Sequence, residues 1–394
     1  MPTDAAPSVL LSTVCRPFGE AHESDSVQAE LFHAQITRAQ GIFSSRQVMR
    51  CWGLDYIAHN IQSPTTVLHY PSKREFIREL KSRHYDYVGI SFVVATFHKV
   101  CAMARWIRRH APGATLVLGG YGTVLPDHVL KPVSDQVCRG EGIAFMRRLL
   151  GEDASRPVEL PYAPIPSPRI YSYQVPSVVA TITGGLGCPN GCDFCCTSHY
   201  FQRRYIPFLK TGRELYDTIR AMYNEAARRG DTIGSIGLID EDFFLNKPRA
   251  LEYLQCVREW GKPLSIFAFG SVRSLSQYDP DDIAEMGFDI IWTGFEGSQS
   301  GYAKRDGKSF AEVYAALKAR GIAVLSSMII GFPEQTEEQI QQDFDYLMSL
   351  KPSYFQALIY FAFPGTPLHT RAIREGWYLP EYQDKPDLRT WDGF

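Results

Sequence analysis

Apolar and polar positions along the chain alternate between two periods. Over the first 150 residues, short apolar runs (SVLLSTVC, TTVLHYP, YDYVGISFVV, ATLVLGGYG) are separated by stretches whose apolar residues recur every three to four positions (RQVMRCWGLDYIAHNI, KREFIRELKSR, KVCAMARWIRRH). The first kind reads as buried strand and the second as amphipathic helix. Strand alternating with helix predicts a doubly wound α/β domain over residues 1–150, its parallel sheet covered on both faces. Gly119 and Gly120 end one of these strands, and Arg139-Gly140-Glu141-Gly142 makes a second glycine-flanked loop before a helix start. Open parallel sheets place ligands beyond the carboxyl ends of their strands. The two loops together favour a binding edge, although GGYG alone reads equally well as a tight turn.

Residues 151–177 are rich in proline and lack apolar periodicity, which predicts a linker. From residue 178 the alternation resumes and runs for about six strand–helix units to residue 394, from VVATITGG through SIGLID, LSIFAFGS, IIWTGFEG and AVLSSMIIG to YFQALIYFAF. Right-handed crossovers between successive parallel strands would roll these into a full or partial barrel with its chemistry at the carboxyl ends of the strands.

Composition narrows the function classes. The chain is 45% hydrophobic and 21% charged, with a formal net charge of −2, which gives no electrostatic reason to expect nucleic acid or an anionic membrane. No apolar run approaches the ~20 residues of a membrane span, and MPTDAAPSVLLSTVC lacks the basic start and apolar core of a signal peptide. A cytoplasmic protein without a transmembrane segment is expected. Nine cysteines is an odd number, and Cys188, Cys192, Cys195 and Cys196 crowd together too densely for a disulfide framework. Reduced thiols serving a metal fit better.

The spacing C-x3-C-x2-C lets three thiolates from one loop converge on a single centre. Iron–sulfur clusters take thiolate ligands, commonly four, so three would leave one iron open to another ligand. Zinc is the rival, but structural zinc sites usually pair C-x2-C or Cys/His units, and no second pair is present. Cys15, Cys51, Cys101, Cys138 and Cys256 are scattered singly and read as small buried hydrophobes. Cys196 falls outside the spacing and reads as a neighbour packed beside the loop.

Cys188-Pro-Asn-Gly-Cys192-Asp-Phe-Cys195, following a strand and with an aromatic before its third cysteine, resembles the signature of the radical S-adenosylmethionine (radical SAM) enzymes. The resemblance implies a radical SAM partial (β/α)6 TIM-type barrel over 178–394 and a 4Fe-4S cluster on Cys188, Cys192 and Cys195. It also implies reductive cleavage of SAM to a 5′-deoxyadenosyl radical, with an external one-electron reductant of the flavodoxin or ferredoxin type. Phe194 of the motif would lie beside SAM. LIDEDFF after the second strand offers Asp240 or Glu241 to the SAM amino group, or alternatively as caps of the next helix. GSVRSL places Ser271 and Arg273 toward the ribose or carboxylate, with a surface acid as the other partner for Arg273. TGFEG resembles the family's G-[IF]-E-[ST] and assigns Glu296 to the ribose hydroxyls, although glycine replaces the usual small hydroxyl residue at 297. MIIGFPEQT and YFAFPGTPL resemble the segments after the fifth and sixth strands.

With a doubly wound domain ahead of such a barrel, the chain resembles the cobalamin-dependent subfamily, whose first domain is Rossmann-like and cobalamin-binding. YDYVGISF, LVLGGYGTVLPD and CRGEG carry this resemblance, and by it Ser91, Gly119, Gly120, Gly122, Gly140, Glu141 and Gly142 would line a corrin pocket. The subfamily's Asp-x-His-x-x-Gly is missing, and His22 and His33 lie outside that pattern as exposed loop histidines. Cobalamin without a protein nitrogen beneath it, another residue in that place, or loss of the cofactor all fit. The implied reaction is cobalamin-dependent methylation of an unactivated carbon in a small molecule, lipid or peptide. A radical rearrangement or cyclisation without methyl transfer is the second reading, and a non-catalytic metal- or cofactor-binding protein the third. The aromatics Trp377, Tyr378, Tyr382, Trp391 and Phe394 would cover the barrel mouth or pack on the core.

Overall fold

Strand β1 (Val9–Thr13) shows why the first sheet must be covered twice, since all five of its residues are buried. The computed structural model describes residues 6–16, 45–46, 50–167, 169–170, 173–174, 176–297 and 307–377. His22, His33, Tyr378, Tyr382, Trp391 and Phe394 lie outside these. Packing divides the chain into two units, one of Met1–Pro176, Asp193–Tyr200 and Ala362–Phe394, the other of Ser177–Cys192 and Phe201–Phe361.

In the first unit β1 is followed by α1 (Trp52–Asn60), β2 (Thr65–Leu68), α2 (Lys73–Ser82), β3 (Tyr87–Ser91), α3 (Phe97–His110), β4 (Thr115–Gly119), β5 (Gln136–Val137) and α4 (Gly142–Leu149). These five strands are parallel, in the order β2-β1-β3-β4-β5. Alternate residues of β1 enter different cores. Leu10 packs with Phe76 and Leu80 of α2 and Met103 and Ile107 of α3, whereas Val9 and Leu11 pack with Leu54 of α1 and Met146 of α4. That is the doubly wound arrangement the alternation predicts. The strand order reverses between β1 and β3, and such a switch point opens a crevice at the carboxyl edge of the sheet.

In the second unit six parallel strands lie side by side in chain order: β6 (Val178–Ile182), β7 (Ile233–Leu238), β8 (Ile266–Phe269), β9 (Phe288–Phe295), β10 (Ala323–Ile330) and β11 (Tyr354–Ile359). The main connecting helices are α6 (Gly212–Arg229), α7 (Lys247–Trp260), α8 (Phe310–Ala319) and α9 (Glu337–Ser349). Sequential parallel strands joined by helices form the (β/α)6 partial barrel. One sheet face packs on the helices: Phe295 meets Phe310 of α8 with ring centroids 5.0 Å apart. The other carries a half-buried aromatic group, in which Phe269 lies 5.1 Å from Phe267 and 5.3 Å from Trp292. Two further helices, α5 (Cys196–Tyr200) and α10 (Pro367–Glu375), belong to the first unit. Among the described residues, no helix is long and apolar enough to cross a membrane.

Candidate functional site

The cysteine loop leaves the carboxyl end of β6. Gly185 and Leu186 pair antiparallel with Ile206 and Pro207, so the loop is pinched at its base. The pinch admits no side chains: a Cβ on Gly187 (φ 84°) would lie 2.2 Å from Arg204 O, and one on Gly185 would meet the Tyr205 ring at 2.5 Å. Cys188 and Cys192 are buried, whereas Cys195 and Cys196 are half-buried. Phe194 sits half-buried in the turn between Cys192 and Cys195.

Asp240 fixes the start of this loop. It is buried after β7 and accepts hydrogen bonds from Gly184 N (2.6 Å), Tyr205 Oη (2.8 Å) and Arg249 Nη2 of α7 (2.6 Å). Arg249 also donates to Tyr205 Oη. Burial alone would pull the Arg249 guanidinium down, but Asp240 and then Tyr205 outweigh it and hold the group above its ordinary value. Burial, followed by the Asp240 charge, pushes the Tyr205 phenol up. Both Asp240 oxygens are thus committed to the loop and to α7, whereas Glu241 beside it is exposed. The cap of α7 is Asn246, whose side chain accepts from Arg249 N, so neither acid performs that task.

The remaining strand ends converge less uniformly. Ser271 caps the short helix Val272–Leu275, accepting from Ser274 N at 3.2 Å. Arg273 reaches the cysteine loop, donating to Asn190 Oδ1 at 2.5 Å, and not to a surface acid. Glu296 is buried at the end of β9 and folds back along its own strand, since a Cβ on Gly294 would lie 2.6 Å from its Oε1. Because Phe295 faces α8, Glu296 points to the opposite sheet face, the one bearing Trp292. Gly297 (φ 96°) explains the missing hydroxyl residue: a Cβ there would meet Asp343 Oδ2 at 2.5 Å. Gly297→Ser, which restores the family-like residue, is therefore expected to cost about 1–3 kcal/mol of stability. Urea denaturation checks this, and an unchanged midpoint would refute it. After β10, Gly331 N and Phe332 N both donate to Gln335 Oε1, at 2.9 and 3.0 Å.

On the first unit, Ser91 and Gly119 end β3 and β4. Gly120 (φ 86°) and Gly122 back closely onto Phe92, where a Cβ would fall 2.7 Å from Phe92 O and 2.2 Å from its ring. Gly140 (φ 99°) faces open space, whereas a Cβ on Gly142 would meet Ile57 at 2.8 Å. Glu141 caps α4, accepting from Ile143 N and from Ala144 N. Sequence reasoning passed over Tyr200, the last residue of α5. Its hydroxyl accepts from Gly140 N (2.9 Å), shares a hydrogen bond with Thr123 Oγ1 (2.9 Å) and donates to Gly120 O (3.2 Å). The helix that follows the cysteine loop is thus bound to the glycine-rich strand ends of this unit. No local signal in the sequence marks Tyr200, because its partners lie 60 to 80 residues away.

Among the described residues no three His, Cys, Asp or Glu side chains gather closely enough to hold a single metal ion. Burial, and then Glu141, push the Cys138 thiol up to about 12, and burial raises Cys51 and Cys256.

Comparison with known proteins places this geometry. An uncharacterised methyltransferase of Pyrococcus horikoshii is 24% identical over 331 residues, 75% of this chain and 71% of that protein. The hopanoid C-2 methylase of Rhodopseudomonas palustris is 25% identical over 210 residues, 50% of this chain and 38% of that protein. The radical SAM methyltransferase TsrM of Kitasatospora setae, solved with cobalamin and a [4Fe-4S] cluster, superposes with a TM-score of 0.66 at 16% identity, covering 94% of this chain and 78% of that one. The family model of the radical SAM superfamily matches residues 182–347, from the end of β6 into α9, and the chain therefore carries a radical SAM domain.

Proposed function

We propose that the chain is a radical SAM methyltransferase that uses a 4Fe-4S cluster, SAM and cobalamin to methylate an unactivated carbon of a small molecule. The observation that carries the reading is the cysteine loop, which leaves the carboxyl end of the first strand of a (β/α)6 sheet and is closed by glycines that admit no Cβ. Its donor set fits the cluster. Three thiols on one loop suit a four-iron centre, which spaces its thiolates more widely than a single ion does. Cobalamin fits the first unit's carboxyl edge, where the strand order reverses and Gly119 and Gly140 leave room, a Cβ on Gly119 finding its nearest neighbour at 3.9 Å.

In this reading Cys188, Cys192 and Cys195 hold the cluster, Glu241 takes the SAM amino group, and Glu296 takes the ribose hydroxyls with Phe194 alongside. Asp240, Arg249 and Tyr205 keep the loop in place. The bound cofactors supply the 5′-deoxyadenosyl radical and the methyl group, while the protein orients them and excludes water. The relatives support the methyltransferase reading: the two curated relatives are named for methyl transfer, and TsrM has been solved with tryptophan as substrate.

The test is anaerobic reconstitution with iron, sulfide and cobalamin, followed by reductant and SAM carrying a deuterated methyl group. The expected result is 5′-deoxyadenosine together with label on the extracted corrinoid. Formation of 5′-deoxyadenosine with no labelled corrinoid would replace methylation with a rearrangement. Absence of 5′-deoxyadenosine at a filled cluster would reject catalysis.

A further inference from the structure

The loop between the first two motif cysteines carries an amide whose two ends are treated differently. Asn190 lies two residues after Cys188 and two before Cys192. Its Oδ1 accepts from Arg273 Nη2 at 2.5 Å. A guanidinium has only donors, so this contact fixes which end of the amide is oxygen. The other end, Nδ2, is buried and has no hydrogen-bond partner among the described residues. Gly191, the next residue, has φ 70°, and a Cβ there would lie 2.3 Å from Arg203 Nε, so the turn beside Asn190 is one that glycine alone fits. A buried donor left unpaired is costly, and structures seldom hold one in place without an acceptor.

We infer that Asn190 Nδ2 is a hydrogen-bond donor to a sulfur of the iron–sulfur cluster, with Arg273 as the residue that aims it. The inference rests on Cys188, Cys192 and Cys195 being the cluster ligands. Between two such ligands, sulfur is the acceptor that the loop itself brings near. A donor to cluster sulfur stabilises the more electron-rich reduced state and so raises the reduction potential. Asn190 thereby makes the cluster easier to reduce before SAM is cleaved.

The experiment is an EPR-monitored redox titration of the full chain, reconstituted anaerobically and without SAM. Asn190→Ala is expected to keep wild-type iron and sulfide content while the ratio of reduced to oxidised cluster at a fixed potential falls about tenfold. That corresponds to 59 mV for a one-electron couple and to the loss of one charge-assisted hydrogen bond. Asn190→Asp retains the acceptor for Arg273, loads if the alanine variant does not, and is expected to fall further. In deuterium oxide the reduced wild-type cluster should show hyperfine coupling to an exchangeable deuteron that Asn190→Asp lacks. Loaded variants that titrate at the wild-type potential, or a coupling that survives the substitution, would overturn the inference and would show that a water or a bystander contact satisfies Nδ2. Wild-type protein that takes up no iron would fail differently, by refuting the cluster itself.

Discussion

Alanine at Cys188, Cys192 or Cys195 is expected to give folded protein that assembles no complete cluster and forms 5′-deoxyadenosine only at background. Cys196→Ala is expected to keep both. Each substitution removes a single sulfur from a loop, so the cost to folding stays small, within about 1.5 kcal/mol. The loss of cluster should be total because Cys188, Cys192 and Cys195 are the thiols that the C-x3-C-x2-C spacing brings to one centre. Burial pushes the Cys138 thiol up to about 12 and also raises Cys51 and Cys256, which makes each a poorer source of thiolate than an ordinary cysteine. Cys196, the first residue of α5, is committed to a helix and falls outside the C-x3-C-x2-C spacing. Iron and sulfide per chain and 5′-deoxyadenosine yield are the measurements. If Cys196→Ala lost iron while Cys195→Ala kept it, the ligand set would have to move by one residue. If all four variants kept iron, the loop would not be the cluster site.

The strands, the helices between them and the loops at their carboxyl ends were legible because each rests on local information. Two hydrophobic periods separate strand from helix, and paired glycines mark where β4 and the cysteine loop turn. The direction taken by neighbouring side chains was not legible. Asp240 and Glu241 are adjacent and chemically alike, yet Asp240 is committed to Arg249, Tyr205 and Gly184, the last 56 residues earlier in the chain. Arg273 offered either a cofactor or a surface acid, and only the folded chain brings it to Asn190, 83 residues away. Glu141 and Ser271 stand beside glycines or at strand ends, as a ligand residue would, and both cap helices. At each of these positions the sequence supplies only a residue type. Its partner is set by tertiary packing, to which period and spacing are blind.

Asp240→Asn should be the most destabilising single change near the site that leaves all three motif cysteines in place. The Asp240–Arg249 pair is almost wholly buried, with side chains 2% and 3% exposed, and its oxygen and nitrogen lie 2.6 Å apart. Neutralising one partner leaves the Arg249 charge buried and uncompensated, which costs about 3–5 kcal/mol. For a unit of this size that lowers Tm by roughly 6–20 °C. The asparagine still offers an oxygen to Gly184 N, so the lost charge is separated from the lost loop contact. The double variant Asp240→Asn/Arg249→Met removes both charges and should recover most of the lost stability, because a buried pair replaced by apolar volume is often nearly neutral. It should not recover cluster uptake to the same extent, since the Arg249 bond to Tyr205, which helps pinch the base of the cysteine loop, is gone. Thermal denaturation and iron content on the same three proteins decide the matter. Stability and iron content restored together would mean that the pair only supports the fold. Stability restored while iron stays low would assign Asp240, Arg249 and Tyr205 to holding the loop for its cluster.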